Sequence, residues 1–317
     1  MSALLKGSPL VSVCIATYNR SELLVKAVNS VQKQDYSNIE LIIVDDASTD
    51  DTKLTMARLQ QSSNIPINYI QNETNLGLAG SRNRALNASE GKYFTFIDDD
   101  DRWVDSYLSE FVSLAENYDS SFCFICGCVS PNGEQLAIPE ISGSLKALIE
   151  KGYTPPVAAQ FYFRETLLSV GGYNESIKSG VDHDLWLSLA KNRCQLKSLS
   201  KCLAIPNYDD SMSRMTSRYK QRKDKINKSL VLWEPLLIET FGIEFKTHFV
   251  ISYHQYIDER FFKSYLSQRM ILQALKLFVQ SASKFFLIKN ILSFLSSKIL
   301  KRTPEVEYKP LFQPFFR

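Results

Sequence analysis

Histidine is scarce. His183, His248 and His254 are the only three in 317 residues, so a metal centre built from several histidines is not expected. Cysteine is sparse as well, at six. Three of these, Cys123, Cys126 and Cys128, crowd into SFCFICGCVS, but the run is apolar and strand-like and no fourth ligand is near. They read as free thiols in a buried strand, not as a zinc site. The chain has no run of about 18 apolar residues, so no spanning helix is expected. The opening MSALLKGSPLVSVCIATYNR lacks the basic, then apolar, then small-residue order of a signal peptide, which predicts a cytoplasmic chain.

The apolar content, 44% against 22% charged, is ample for a core. The net charge of +3 conceals an asymmetry. Residues 1–210 hold 18 basic and 26 acidic side chains, a net −8, and residues 211–317 hold 19 and 8, a net +11. A domain boundary near Asp210 is expected. The basic part calls for an anionic partner, membrane lipid or nucleic acid, and no nucleic-acid recognition motif accompanies it.

The acidic surplus peaks in YFTFIDDDDRW, Tyr93 to Trp103. Four adjacent carboxylates repel one another unless water or a cation screens them. Their place along the chain bears on which. VSVCIA (Val11 to Ala16), ELIIVD (Glu40 to Asp45), Ile67 to Gln71 and Tyr93 to Asp98 are short, apolar, β-rich runs. Helical patterns separate them: residues 21–34, with Leu24, Ala27, Val28 and Val31 on one face and Ser21 as cap; a helix opened by a Ser48/Asp51 capping box; and residues 78–87. A further helix is expected over residues 103–117, and then a strand over Phe122 to Val129 that starts a hairpin at Pro131-Asn132-Gly133. This alternation predicts a doubly wound α/β domain with a mainly parallel sheet flanked by helices. Such sheets bind ligands beyond the carboxyl ends of their strands. Thr17-Tyr18-Asn19-Arg20, Asp45-Asp46 and Asp98 to Asp101 all follow strands.

Five segments, in order and suitably spaced, resemble the family 2 glycosyltransferases, inverting enzymes of the GT-A fold, of the type that builds bacterial surface polysaccharides. They are VSVCIATYNR, ELIIVDDASTDDT, NETNLGLAGSRNRAL, FTFIDDDDRW and FYFRETLLSVGGYNESIKSGVDHDLWLSLA. The resemblance covers about residues 9–214. It implies a GT-A nucleotide-sugar domain over residues 1–210 and transfer of a hexose from a nucleotide sugar to a hydroxyl of a glycan or lipid-linked glycan. It also implies Mn2+ or Mg2+ as cofactor, since hard cations take carboxylate and phosphate oxygens and stabilise a diphosphate leaving group.

By the same resemblance Asp98 faces the ribose and Asp100 the metal, with Asp99 and Asp101 as an alternative register. Asp46, beside Asp45, matches the aspartate that accepts from uracil N3–H, which favours a UDP donor. Thr17 and Tyr18 flank the base, with Asn19 and Arg20 in the same turn, and Arg82 and Asn83 contact nucleotide or phosphate. Asp182 is the catalytic base and Asp184 its runner-up. Two departures stand out: Val181 replaces the acidic residue that usually precedes the base, and no histidine occupies Asn207 to Arg214. Gly171-Gly172-Tyr173 matches the glycine turn near the sugar.

Residues 211–317 form an expected helical, basic region. Phe285, Ile288, Leu292, Leu295 and Ile299 repeat at 3-4 spacing among Lys284, Lys289, Lys298, Lys301 and Arg302. The stripe suits packing, a homo-oligomer interface, or peripheral binding to an anionic leaflet on the inner face of the plasma membrane. Two other classes share parts of this pattern. A sugar nucleotidylyltransferase needs a glycine-rich loop after its first strand, where this chain has ATYNRSE. A catalytically inactive nucleotide-sugar-binding module fits poorly with the retained Asp98, Asp100 and Asp182.

Overall fold

The computed structural model describes residues 7–129, 133, 135–136, 141–150, 156–207 and 219–267. The chain begins with β1 (Val11–Thr17), α1 (Ser21–Gln32), β2 (Ile39–Asp45), α2 (Thr52–Ser62), β3 (Ile67–Gln71), α3 (Gly77–Ala88) and β4 (Tyr93–Phe96). It continues through β5 (Arg102–Trp103), α4 (Tyr107–Ala115), β6 (Phe122–Val129), β7 (Gln135–Leu136), β8 (Ser142–Ser144) and α5 (Leu145–Glu150). Then come β9 (Gln160–Phe163), α6 (Arg164–Ser169), α7 (Val181–Lys191), β10 (Gln195–Ile205), α8 (Tyr219–Phe241) and α9 (Ile243–Ser267).

The strands form one sheet in the order β3-β2-β1-β4-β9-β6-β10-β5, with β7 on β6 and β8 on β10. The half carrying the acidic strand ends, β3-β2-β1-β4, is parallel throughout. The other half is mixed: β9 runs antiparallel to β4 and β6, and β10 is parallel to β6 but antiparallel to β5. Strand order reverses between β1 and β4, and a crevice at such a switch point is where ligands of open α/β sheets bind.

The apolar runs are buried as their composition demands. Val11, Val13 and Ile15 pack with Leu24, Ala27, Val28 and Val31, the expected face of α1. Phe111 of α4 stacks on Phe161 of β9 with centroids 5.0 Å apart. Cys123, Cys126 and Cys128 are buried free thiols in β6, as read from the sequence.

Several boundaries differ from the expectation. Arg20, not Ser21, takes the N-cap position of α1, without a side-chain cap. The Ser48/Asp51 capping box does not form. Ser48 Oγ instead accepts from the Asn19 N–H at 2.9 Å, and Asp50 takes the Thr52 N–H at 3.0 Å. The helix expected from residue 103 starts at Tyr107, because Arg102–Trp103 pair with Ala204 and Ile205 as a strand. The Trp103 indole also donates to the Ala158 carbonyl, at 2.7 Å.

The chain divides into two compact units, residues 1–148 with 155–208, and residues 149–154 with 209–317. In the second, α8 and α9 join at Gly242, whose φ of 91° is in glycine's range. Trp233 packs edge-on against Phe249 and Tyr253, and Lys223 pairs with Asp258 at 3.0 Å. Among the described residues no helix is long and apolar enough to cross a membrane. The Asp210 boundary, Arg214 and the stripe from Phe285 to Ile299 lie outside the described residues.

Candidate active site

The strand-end loops are tied together before any ligand is considered. Asn19 adopts φ 53°, a left-handed conformation that asparagine tolerates. Its Oδ1 accepts from the Thr49 N–H at 2.7 Å, which joins the turn after β1 to the turn after β2. Tyr18 beside it is 47% exposed.

Of the four aspartates, one leaves the run and the others meet cations or N–H groups of the protein. Asp99 turns inward and is only 4% exposed. It accepts from Thr17 Oγ1 at 2.8 Å and from Arg20 Nη1 at 2.9 Å. Burial lifts its carboxyl to about 6, against the pull of Arg20 and Thr17. Arg20 also lies 3.6 Å from Asp100. Asp98 pairs with Arg82 Nη2 at 2.8 Å. Asp101 accepts from the Asn207 N–H at 2.8 Å. The protein thus supplies cations of its own, one from α3 and one from the start of α1.

Asp98, Asp100 and Asp101 each offer one carboxylate oxygen, and these oxygens lie within 4.8 Å of one another. Three clustered carboxylate oxygens suit a hard divalent ion such as Mg2+ or Mn2+. Asp99, engaged by Thr17 and Arg20, stands outside this cluster.

Arg82 joins the acidic run to the far side of the crevice. Its side chain is 2% exposed, with the rings of Phe96 and Tyr173 at 5.1 and 5.2 Å from the guanidinium carbon. Nη1 donates to Asp182 Oδ1 at 2.5 Å and to the Tyr173 hydroxyl at 3.3 Å. Burial works against the guanidinium charge, but Asp182, Tyr173 and Asp98 outweigh it and hold the group more firmly protonated than usual. Asp182 sits in the first turn of α7, after Gly180 at φ 78°, where a helix favours negative charge. Burial raises its carboxyl above the ordinary range; Arg82 pulls it down and Asp98 pushes it up. The Asp182 side chain is nevertheless 28% exposed, whereas Asp184 is buried.

Other residues expected at the donor make hydrogen bonds within the protein. Asp45 accepts from the Ser48 N–H at 2.8 Å and the Tyr69 hydroxyl at 2.7 Å. Asp46 accepts from Asn72 at 2.8 Å, Leu76 N–H at 2.7 Å and Gly77 N–H at 2.9 Å, so it shapes the loop that opens α3. The Asn83 amide donates to the Tyr173 carbonyl at 2.8 Å and to Glu175 at 2.9 Å, and its oxygen accepts from the Tyr173 N–H at 2.7 Å. It clasps the glycine turn. Sequence reasoning missed Asn72, which sits at a strand end like the acidic residues, and Tyr173, visible only as the third member of Gly171-Gly172-Tyr173.

The chain matches the family model described as glycosyl transferase family 2 over residues 12–162. It is 44% identical over 113 residues to an Escherichia coli K12 protein described as a putative colanic acid biosynthesis glycosyl transferase, covering 34% of this chain and 39% of that one. It is 30% identical over 192 residues to the Campylobacter jejuni GalNAc(5)-diNAcBac-PP-undecaprenol beta-1,3-glucosyltransferase, covering 58% of this chain and 61% of that one. The matched region thus spans less than two thirds of either relative. Among solved structures it is similar to S. aureus TarS 1-349 in complex with UDP-GlcNAc, with a TM-score of 0.58 and 21% identity over 81% of this chain and 73% of that one. It is also similar to a mannosyltransferase from Pyrobaculum calidifontis in complex with GDP-Man and Mn2+, with a TM-score of 0.59 and 16% identity over 92% and 89%. At these identities the structural likeness is one of fold, and that fold is GT-A.

Proposed function

Because residues 12–162 belong to glycosyl transferase family 2, we propose that this chain is an inverting glycosyltransferase of surface-polysaccharide assembly. It moves a hexose from a UDP-sugar to a hydroxyl of a lipid-linked glycan. The observation that carries the reading is the convergence of a three-carboxylate cluster and a separate, partly open carboxylate, Asp182, on one buried arginine. The relatives support the acceptor class: the Campylobacter protein is described as acting on an undecaprenol diphosphate-linked glycan. TarS in complex with UDP-GlcNAc supports the donor class.

Each residue has a role in this reaction. Asp98, Asp100 and Asp101 would hold Mn2+ or Mg2+, which when bound offsets the charge of the diphosphate leaving group. Tyr18, which is exposed, would offer its ring to the planar base. The acceptor hydroxyl oxygen bonds to the anomeric carbon, and its proton passes to Asp182. The bond from that carbon to the diphosphate oxygen breaks, and its electron pair leaves with the nucleotide. A carboxylate whose affinity for a proton is raised is a better base for this step near neutral pH. Its partial exposure leaves it reachable, and the burial of Asp184 disfavours that residue for the role. Residues 211–317 hold the enzyme at the anionic leaflet where such an acceptor resides.

A donor screen tests the reading. UDP- and GDP-sugars are incubated with Mn2+ or Mg2+ and a polyprenyl diphosphate-linked acceptor, and nucleotide release and the product anomer are measured. UDP release with inversion is expected. Release of GDP alone would reassign the donor, and a product that retains the donor configuration would remove the mechanism.

A further inference from the structure

Arg82, which the family resemblance puts at nucleotide or phosphate, is deeply buried. Its side chain is 2% exposed. Phe96 and Tyr173 lie against the guanidinium, and its two terminal nitrogens are engaged by Asp182 and Asp98. A diphosphate would have to displace a carboxylate to reach it.

We propose that Arg82 is a positioning residue for the base: one guanidinium nitrogen holds Asp182 and the other holds Asp98, so the acceptor-side and donor-side carboxylates are oriented as one unit. The proposal rests on the glycosyl-transfer reading for the roles of those two carboxylates. The bridge itself rests on geometry alone. Four separate pieces of chain meet at this side chain: α3, the end of β4, the glycine turn and the first turn of α7. Arginine suits the position because its planar fork presents fixed donors to two carboxylates at once, which the single ammonium of lysine does not reproduce. Without the cation, Asp98 and Asp182 would be left as neighbouring like charges. The Tyr173 hydroxyl, 3.3 Å from Nη1, and the Asn83 clasp on Tyr173 steady the guanidinium from the second side. Any group that engages Asp98 from the open side therefore acts on the arginine that holds Asp182.

The test uses the full chain with Arg82→Gln and Arg82→Lys. For Arg82→Gln we expect kcat to fall about 10²-fold, the scale of an ångström-sized misplacement, with the donor KM within about threefold of wild type. Arg82→Lys should recover part of kcat. A donor KM raised tenfold or more at unchanged kcat would overturn the proposal and return Arg82 to the phosphate. A second measurement needs no activity: a double-mutant cycle of Asp98→Asn and Asp182→Asn in urea unfolding. With Arg82 present the two changes should be non-additive, and additivity would overturn the bridge. If the wild-type chain transfers no sugar from any donor, the glycosyl-transfer reading falls and the cycle still decides the bridge.

Discussion

Asp182 and Asp184 lie two residues apart on the first turn of one helix, yet one is partly open and bridged to Arg82 while the other is buried. The difference sets a prediction at this scale. Asp182→Asn should lower transfer by about 10²–10⁴-fold, the usual contribution of a general base, and leave UDP affinity nearly unchanged. Asp184→Asn should act chiefly through stability. Steady-state kinetics beside calorimetric UDP binding checks both, and a severe kinetic loss confined to Asp184→Asn would exchange the roles. The same contrast runs through the acidic cluster. Asp99 is directed by Thr17 and Arg20 away from its neighbours, which leaves Asp98, Asp100 and Asp101 to face one another.

At the scale of elements, the glycine turn ahead of α7 is sensitive to a small change. Gly172 has φ +70°, and a Cβ there would lie 2.6 Å from Asn83 Oδ1. Gly171 has φ +80° but open space around it. Gly171→Ala should cost only the backbone strain, about 1–3 kcal/mol. Gly172→Ala should cost more, because it also breaks the clasp that holds Tyr173 against Arg82, and it alone should lower kcat. Urea unfolding and kinetics on the pair separate the two effects, and equal losses would remove the clasp.

The helical pair α8–α9 carries a pH dependence. His254 Nδ1 is buried and has no hydrogen-bond partner among the described residues. Burial, then Lys223, lower its pKa from 6.5, and Asp258 opposes them. The unfolded chain takes up a proton below pH 6.5 that the folded chain resists. Stability from this residue is therefore present above that pH and is lost as pH falls through the lower, folded value. Thermal unfolding at pH 7.5 and 5.5 should show a larger loss in the wild type than in His254→Gln; equal losses would exclude the residue.

For the whole molecule, the charge division is the feature with consequences: net −8 over residues 1–210 and net +11 over residues 211–317. Each lysine or arginine near an anionic leaflet contributes about 1 kcal/mol, screened by salt. The full chain should sediment with anionic liposomes at low salt and be released at high salt. The helix α9 runs to Ser267, so a truncation that leaves it whole removes residues 268–317. That variant should lose liposome binding and keep UDP binding. Equal sedimentation with neutral and anionic liposomes, or none with either, would assign the segment to packing or self-association.

The sequence by itself determined the α/β alternation, the parallel half of the sheet and the gathering of acidic residues beyond its strands. These follow from local pattern: β-branched apolar runs bury as strands, and the residues after them fall at one edge of the sheet. It also marked Asp98, Asp100 and Asp182 through ordered motifs. Only the tertiary structure decided that Asp99 points inward, that Asn83 clasps a turn, and that Arg82 spans 16 residues to Asp98 and 100 residues to Asp182. A side chain at a strand end has several rotamers of similar energy, and local sequence does not choose among them. The choice is made by charges and hydrogen-bonding groups brought from distant parts of the chain, because a buried polar group left without a partner costs more than the ordering of its loop saves.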